Sequence, residues 1–380
     1  MRIVWQSNSP TNNSGYGKQT ALFVPRIRDL GHEVAAISAP YSFGGAPIEW
    51  NGIPVLGTAR DSAGNDTIIP NHEYANADLT ILLADPFSLL KSAELLAQIP
   101  LAMWFPVDCS PLGKGDVTVL RESGAIPVAM SGFGFRMLED EGAEPMYVPH
   151  GIDTQLYSPG DPAPYRDTVP GATDDTFIIG IVAMNRDLHR KGFQEQLLAF
   201  SRFHSEYPDS MLAIHSTPVS NPGLDLHAMA AQLGISSAIA FPDGYSYDLS
   251  LVSEEQMVSF YRGLDVLSLC SYGEGFGLPL VEAQACGIPV ISTDASAMSE
   301  LCGAGWLVSG TAYWTVGHQS WWIRPEAEDI YHAYVAAWKA REKGTLPKQQ
   351  ARDFALQFDA DHVFATFWEP VLTELERRVS

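Results

Sequence analysis

Apolar residues in this chain gather in short unbroken runs, and between them lie longer stretches where they recur at helical spacing. Ile3-Val4-Trp5 reads as a buried strand, Gln19 to Leu30 as a helix stopped by Gly31, and Glu33 to Ser38 as a second strand. Strands are expected again at Leu79 to Ala84, Leu101 to Phe105 and Ile126 to Met130, and helices at Phe87 to Ala97 and Phe133 to Glu141. Such alternation predicts a parallel sheet with helices on both faces. Ligands of such a sheet sit beyond the carboxyl ends of its strands.

The segment from Val148 to Pro164 is rich in Pro, Gly and Asp and reads as a hinge. A second alternating series then begins at Phe177 to Ala183. It runs through a helix at Phe193 to Phe203, a strand at Met211 to His215, a helix near Leu224 to Leu233 and a strand at Ala238 to Phe241. Two α/β domains are therefore expected, at 1–160 and 165–358. Asp359 to Arg378 reads as one long helix, and Asp359 in Asp359-Ala-Asp361 as its N-cap rather than half of a metal-binding pair. Gly310 to Arg324 (GTAYWTVGHQSWWIR) interrupts the pattern and reads as a packed loop over a core or as the wall of a binding site.

The most informative stretch is Ser271 to Glu300. Its centre, Glu274-Gly-Phe-Gly-Leu-Pro-Leu-Val-Glu282, holds two carboxylates separated by seven residues. The apolar runs Asp265 to Cys270 and Ile288 to Ser292 flank it as strands. Pro279 stands where a helix starts. A strand, a glycine-rich turn and a helix N-terminus suit a phosphate, because the first helical N–H groups have no partner within the helix. Carboxylates accept hydrogen bonds and repel phosphate, so Glu274 and Glu282 should face hydroxyl groups. Phosphate on amides with hydroxyls on carboxylates describes a nucleotide sugar.

Composition narrows the field. The chain has 380 residues, 46% hydrophobic and 18% charged, which fits two packed cores rather than disorder. No apolar run approaches the roughly 18 residues that span a membrane. MRIVWQSNSP lacks the basic region and apolar core of a signal peptide, so a cytoplasmic setting is expected. Cys109, Cys270, Cys286 and Cys302 show no CxxC or Cys/His metal spacing and are expected to be free thiols. A net charge of −22 argues against broad contact with nucleic acid or an anionic membrane.

EGFGLPLVEAQACGIPVI, with Ser271 before it, resembles the motif of retaining glycosyltransferases of the GT-B fold, in particular glycosyltransferase family 4. VPHGIDTQLYSP likewise resembles that family's interdomain linker, with His150 where Asn is usual. The resemblance implies two Rossmann-like, doubly wound parallel-sheet domains facing a central cleft, an N-terminal acceptor domain and a C-terminal donor domain. It also implies a C-terminal helix, about 360–380, packing back on the first domain. The implied activity is transfer of a sugar from a nucleoside diphosphate sugar to an acceptor hydroxyl, with retention and without a metal or other cofactor. A nucleotide-sugar epimerase of the same fold and a non-catalytic nucleotide-sugar or glycan-binding protein are the alternatives.

Residue roles follow motif by motif. In Ala183 to Gly192, Arg186 and Lys191 resemble the family's cationic element and are expected on the diphosphate, with Arg190 as an alternative cation. Glu274 would contact donor-sugar hydroxyls, Glu282 the ribose, and the backbone of Gly275, Phe276, Gly277 and Leu278 the phosphates. Gly15 and Gly17, in Asn12 to Thr20, stand where the family has a glycine-rich loop facing the donor diphosphate and acceptor. The spacing there matches neither a P-loop nor a dinucleotide fingerprint. Ser131, in a GxG turn, is either structural or near the acceptor. Asp108, after the strand Leu101 to Phe105, is expected to orient an acceptor or donor hydroxyl or to cap a turn. Tyr245 is expected near the nucleobase. The acceptor is left open among glycans, small molecules and proteins.

Overall fold

The computed structural model describes residues 1–39, 47–57, 60–61, 64–248 and 251–380. The chain divides into two compact units, one made of 1–152, 314–321 and 358–380, the other of 153–313 and 322–357.

The first unit is built on an eight-stranded sheet. Its strands are β1 (Arg2–Gln6), β2 (Glu33–Ser38), β3 (Ile48–Trp50), β4 (Ile53–Leu56), β5 (Leu79–Leu82), β6 (Leu101–Phe105), β7 (Ile126–Ala129) and β8 (Met146–Tyr147). They lie in the order β3-β4-β2-β1-β5-β6-β7-β8, and every pair is parallel except β3 with β4. β6 is buried along its whole length, as a strand covered on both faces must be.

One aromatic cluster ties the chain's distant parts together. Trp104 of β6 lies edge-on to Trp5 of β1 (6.4 Å), Phe23 (5.9 Å) and Trp368 (5.0 Å). The indole N–H of Trp5 donates to Thr20 Oγ1 and that of Trp104 to the Val148 carbonyl, so two large apolar groups are buried without stranding a donor. Trp368 comes from the C-terminal helix, which is one continuous element but not uniformly α. Ala360–Val363 and Glu369–Val379 are α-helical, and Phe364–Trp368 forms a π turn between them. Asp359 caps it, accepting from the amides of Asp361 and His362.

The second unit carries a six-stranded, wholly parallel sheet. Its strands are β9 (Phe177–Val182), β10 (Ser210–His215), β11 (Ile239–Ala240), β12 (Val266–Leu269), β13 (Val290–Thr293) and β14 (Gly305–Val308), in the order β11-β10-β9-β12-β13-β14. This is the doubly wound Rossmann order, and it reverses direction between β9 and β12. Phe177, Leu197, Phe200, Phe203, Leu212 and Tyr334 form the centre of its core. Asp265, before β12, is buried but ionically matched, with Arg166 at 2.7 Å and Arg341 at 3.0 Å and the Ile178 amide donating to it.

Three expected elements take another form. The first helix runs Gly15–Asp29, starting four residues early because Ser14 caps it through the Gly17 amide. Gly15 and Gly17 therefore lie in a helical turn, not in an open loop. The helix expected at Phe87 to Ala97 is broken into Pro86–Leu89 and Ala93–Leu96. Gly310 to Arg324 is not a loop but a hairpin, β15 (Gly310–Thr315) with β16 (Ser320–Pro325).

Candidate active site

The site of the second unit grows from the reversal point of its sheet. β9 and β12 are neighbours there, and the loops leaving their carboxyl ends are Ala183–Gly192 and Cys270–Gly277. Gly192 brings them into contact. It has φ +60°, and a Cβ on it would stand 2.1 Å from the Cys270 carbonyl oxygen, so only glycine permits this approach. The Tyr272 amide then donates to the Arg190 carbonyl (2.7 Å), and Asp187 Oδ1 accepts from the amides of His189 and Arg190 to fix the cationic turn. Asn185 anchors the start of the loop by donating to the carbonyls of Thr217 and Leu224.

This arrangement delivers two cations to one carboxylate. Lys191 Nζ donates to Glu274 Oε1 at 2.6 Å, and Arg190 Nη1 reaches Glu274 Oε2 at 3.4 Å. Ser271 Oγ also donates to Oε1 (2.6 Å), while the Glu274 amide donates to Ser296 Oγ (3.0 Å). Burial opposes ionisation of Glu274, but the neighbouring Lys191 and Arg190 outweigh it and hold the carboxyl at about 2. Burial and the charge of Arg190 pull the Lys191 ammonium downward against the Glu274 carboxylate. We take the pair as ionised, because two cations and a hydroxyl donor surround one carboxylate.

Directly after Glu274 the chain turns into the helix Leu278–Ala285. Gly277 precedes it with φ +111° and, as a glycine, gives its first amides no side-chain cap, and Pro279 lies in its first turn. Its N-terminal N–H groups and dipole are thereby directed to an anion. Glu282 lies one turn further on and is 3% exposed, with the Tyr261 hydroxyl donating to its Oε2 at 2.6 Å. Burial first, then the Glu282 charge, raise the Tyr261 hydroxyl far above its ordinary range, so it stays a donor.

The structure thus joins Glu274 and Lys191 tightly and places the turn Gly275–Leu278 beside them. Of the two expected cations the partner of Lys191 is Arg190, whereas Arg186 is exposed on the same loop. Glu282 sits deeper than a surface carboxylate, in a layer with Tyr261. Tyr245 is 72% exposed, in the short helix Gly244–Asp248 after β11. Gly15, Gly17 and Asp108 belong to the first unit. There, a Cβ on Gly17 would lie 2.2 Å from the Asn12 carbonyl oxygen. Ser131 caps the helix Gly132–Asp140 by accepting from the Gly134 amide, which is the structural alternative. Reading by motif gave Ser296 no role; its positive φ of 49° and its place after β13 have no sequence signal.

Asp108 follows β6 beside Cys109 and near His318 of the hairpin turn. Burial first, then the charge of Asp108, push the nearby Asp116 carboxyl up to about 7.

Residues 173–316 match the family described as glycosyl transferases group 1, and most of that stretch lies in the second unit. Among curated relatives, the chain is 27% identical over 249 residues to the D-inositol 3-phosphate glycosyltransferase of Stackebrandtia nassauensis, covering 62% of this chain and 54% of the relative. It is 35% identical over 153 residues to that of Corynebacterium jeikeium, covering 38% and 34%. The chain spans about half the length of the first of these relatives and less of the second. In fold it is similar to sucrose-phosphate synthase from Thermosynechococcus elongatus, with TM-score 0.76, 15% identity, and 100% and 99% of the two chains covered. It is similar also to Anabaena HepE in complex with UDP-glucose, with TM-score 0.73, 17% identity, and 98% and 100% covered. The fold is that of the GT-B glycosyltransferases.

Proposed function

We propose that this protein is a retaining glycosyltransferase that moves a sugar from a nucleoside diphosphate sugar to an acceptor hydroxyl. One observation carries the reading: Glu274, paired with Lys191 and Arg190, stands next to an uncapped helix N-terminus at the reversal point of a Rossmann sheet. Cations and amides suit a diphosphate, and the carboxylate suits sugar hydroxyls. Both are met where the loops after β9 and β12 touch.

Bond breaking between sugar and phosphate develops positive charge on the ring and negative charge on the leaving oxygen. Lys191, Arg190 and the amides at Gly277 and Leu278 stabilise the departing diphosphate, with Arg186 as an outer cation. Glu274 holds donor-sugar hydroxyls, and Glu282, steadied by Tyr261, accepts from the ribose. Tyr245 adjoins the base. No metal is needed to neutralise the phosphates in this scheme. The diphosphate competes with Glu274 for the cations and frees the carboxylate for the sugar, so donor binding itself completes the site. In the first unit, Gly15 and Gly17 are assigned to the donor and Asp108 to orienting an acceptor or donor hydroxyl.

The donor is tested by a thermal-shift screen of the purified protein against UDP-, GDP- and ADP-sugars, with Lys191→Ala as control. UDP-glucose is the first donor to try, since it is the ligand of Anabaena HepE. One base should raise the melting temperature, as a ligand at a hundredfold excess over Kd stabilises by about 2.7 kcal/mol. The shift should be lost in the variant. No shift with any donor would overturn the proposal.

A further inference from the structure

Reading by spacing finds no metal motif, because His318 lies far along the chain from Asp108, Cys109 and Asp116. In the fold they converge. Asp108 and Cys109 follow β6, and His318 lies in the turn of the β15–β16 hairpin; one ligand atom from each lies within 4.8 Å of the others. Backbone pairing holds them together. The Ser110 amide donates to the Trp321 carbonyl (3.0 Å), Trp321 returns a bond to Ser110 (3.3 Å), and the Lys114 amide donates to the His318 carbonyl (2.9 Å). Ser320 Oγ donates to the Pro111 carbonyl as well.

A fourth group borders this cluster at His318. Asp116, 5% exposed, has Oδ2 at 4.0 Å from His318 Nδ1, and its Oδ1 is buried without a hydrogen-bond partner among the described residues. A buried carboxylate oxygen left unbonded is costly unless something positive or donating meets it. Gly113 keeps the space open: a Cβ there would lie 2.8 Å from Asp116 Oδ2 and 3.2 Å from His318 Nδ1.

We propose that Cys109, His318, Asp108 and Asp116 form a zinc-type metal site that fastens the loop after β6 to the hairpin turn. One thiolate, one imidazole and two carboxylates make a four-ligand set of mixed softness, which suits Zn²⁺ and disfavours Mg²⁺ or Ca²⁺. Four protein ligands close the coordination shell, so the role is structural. Binding displaces the Cys109 thiol proton to solvent, leaving the metal bound to thiolate. For Asp108 this adds a ligand role to the orienting role assigned above. The site is separate from the donor chemistry of Glu274 and Lys191, and its test needs no sugar nucleotide.

The test is metal analysis of the full-length protein, purified without chelator, followed by loading of the metal-stripped protein with Co²⁺. About one zinc per chain is expected, together with a thiolate-to-cobalt charge-transfer band in the near ultraviolet. Cys109→Ser should lose that band, and Asp116→Asn should weaken cobalt binding by about tenfold or more. Wild-type protein that holds no zinc and gives no charge-transfer band would overturn the site, whatever the variants do. An unchanged band in Cys109→Ser would also overturn it, since Cys270, Cys286 or Cys302 would then be the ligand.

Discussion

Lys191 Nζ and Glu274 Oε1 lie 2.6 Å apart, each side chain nearly buried, with Arg190 on the far oxygen of the same carboxylate. A buried carboxylate of this kind is stable only while its cations remain, and the same cations are those a diphosphate would use.

Lys191→Met should therefore destabilise the fold as well as weaken donor binding. Breaking a buried pair costs about 3 kcal/mol or more, and the remaining Arg190 keeps the loss near that lower figure. Adding Glu274→Gln to Lys191→Met should restore much of the stability and none of the activity. Urea denaturation of wild type, Lys191→Met, Glu274→Gln and the double variant measures this. Equal stability of Lys191→Met and wild type would show the pair to be energetically silent.

Acid should reveal two buried groups. Glu274 is held at about 2, below its ordinary 4.5, so its contribution is present above 4.5 and is lost as pH falls towards 2. His150 is depressed by burial from 6.5 to about 3, so the unfolded chain takes up its proton first and stability falls as pH drops below about 6.5. Melting temperature followed from pH 8 to 4 should decline below 6.5, and His150→Gln should flatten that decline. A melting temperature independent of pH between 7 and 5 would contradict the assignment for His150.

Gly277→Ala should impair donor binding more than folding. At φ +111° an L side chain costs about 1–3 kcal/mol. Relief of that strain would turn the first amides of Leu278–Ala285 away from the phosphates. A donor Kd raised at least tenfold is expected, read by calorimetry; an unchanged Kd would show that these amides do not bind phosphate.

Turnover should not respond to added Mg²⁺ or Mn²⁺, because Lys191, Arg190 and the helix N-terminus supply the positive charge. Strict dependence on either ion would contradict the assigned phosphate chemistry.

Much of the architecture was legible because buried parallel strands are written as unbroken apolar runs. β2 and β6 have the limits their runs suggest, β9 and β12 lie within theirs, and β10 starts one residue before its run. The hairpin β3–β4 was missed: it is short, one strand holds Pro54, and its residues are partly exposed. β15–β16 was missed because its tryptophans follow no period-2 alternation of burial. At the site, Glu274 and Lys191 were legible from their motifs. That Arg190 and not Arg186 meets the carboxylate depends on the Asp187 turn and on Gly192, a contact between residues 84 apart that no local pattern records. The grouping of Cys109 with His318 is hidden for the same reason.

The central claim is most directly tested by proton NMR of the sugar first released when the protein slowly hydrolyses its donor, with water standing in for the acceptor. The account predicts the anomer of the donor, formed before mutarotation, and no release by Glu274→Ala. Release of the opposite anomer, or undiminished release by Glu274→Ala, would contradict it.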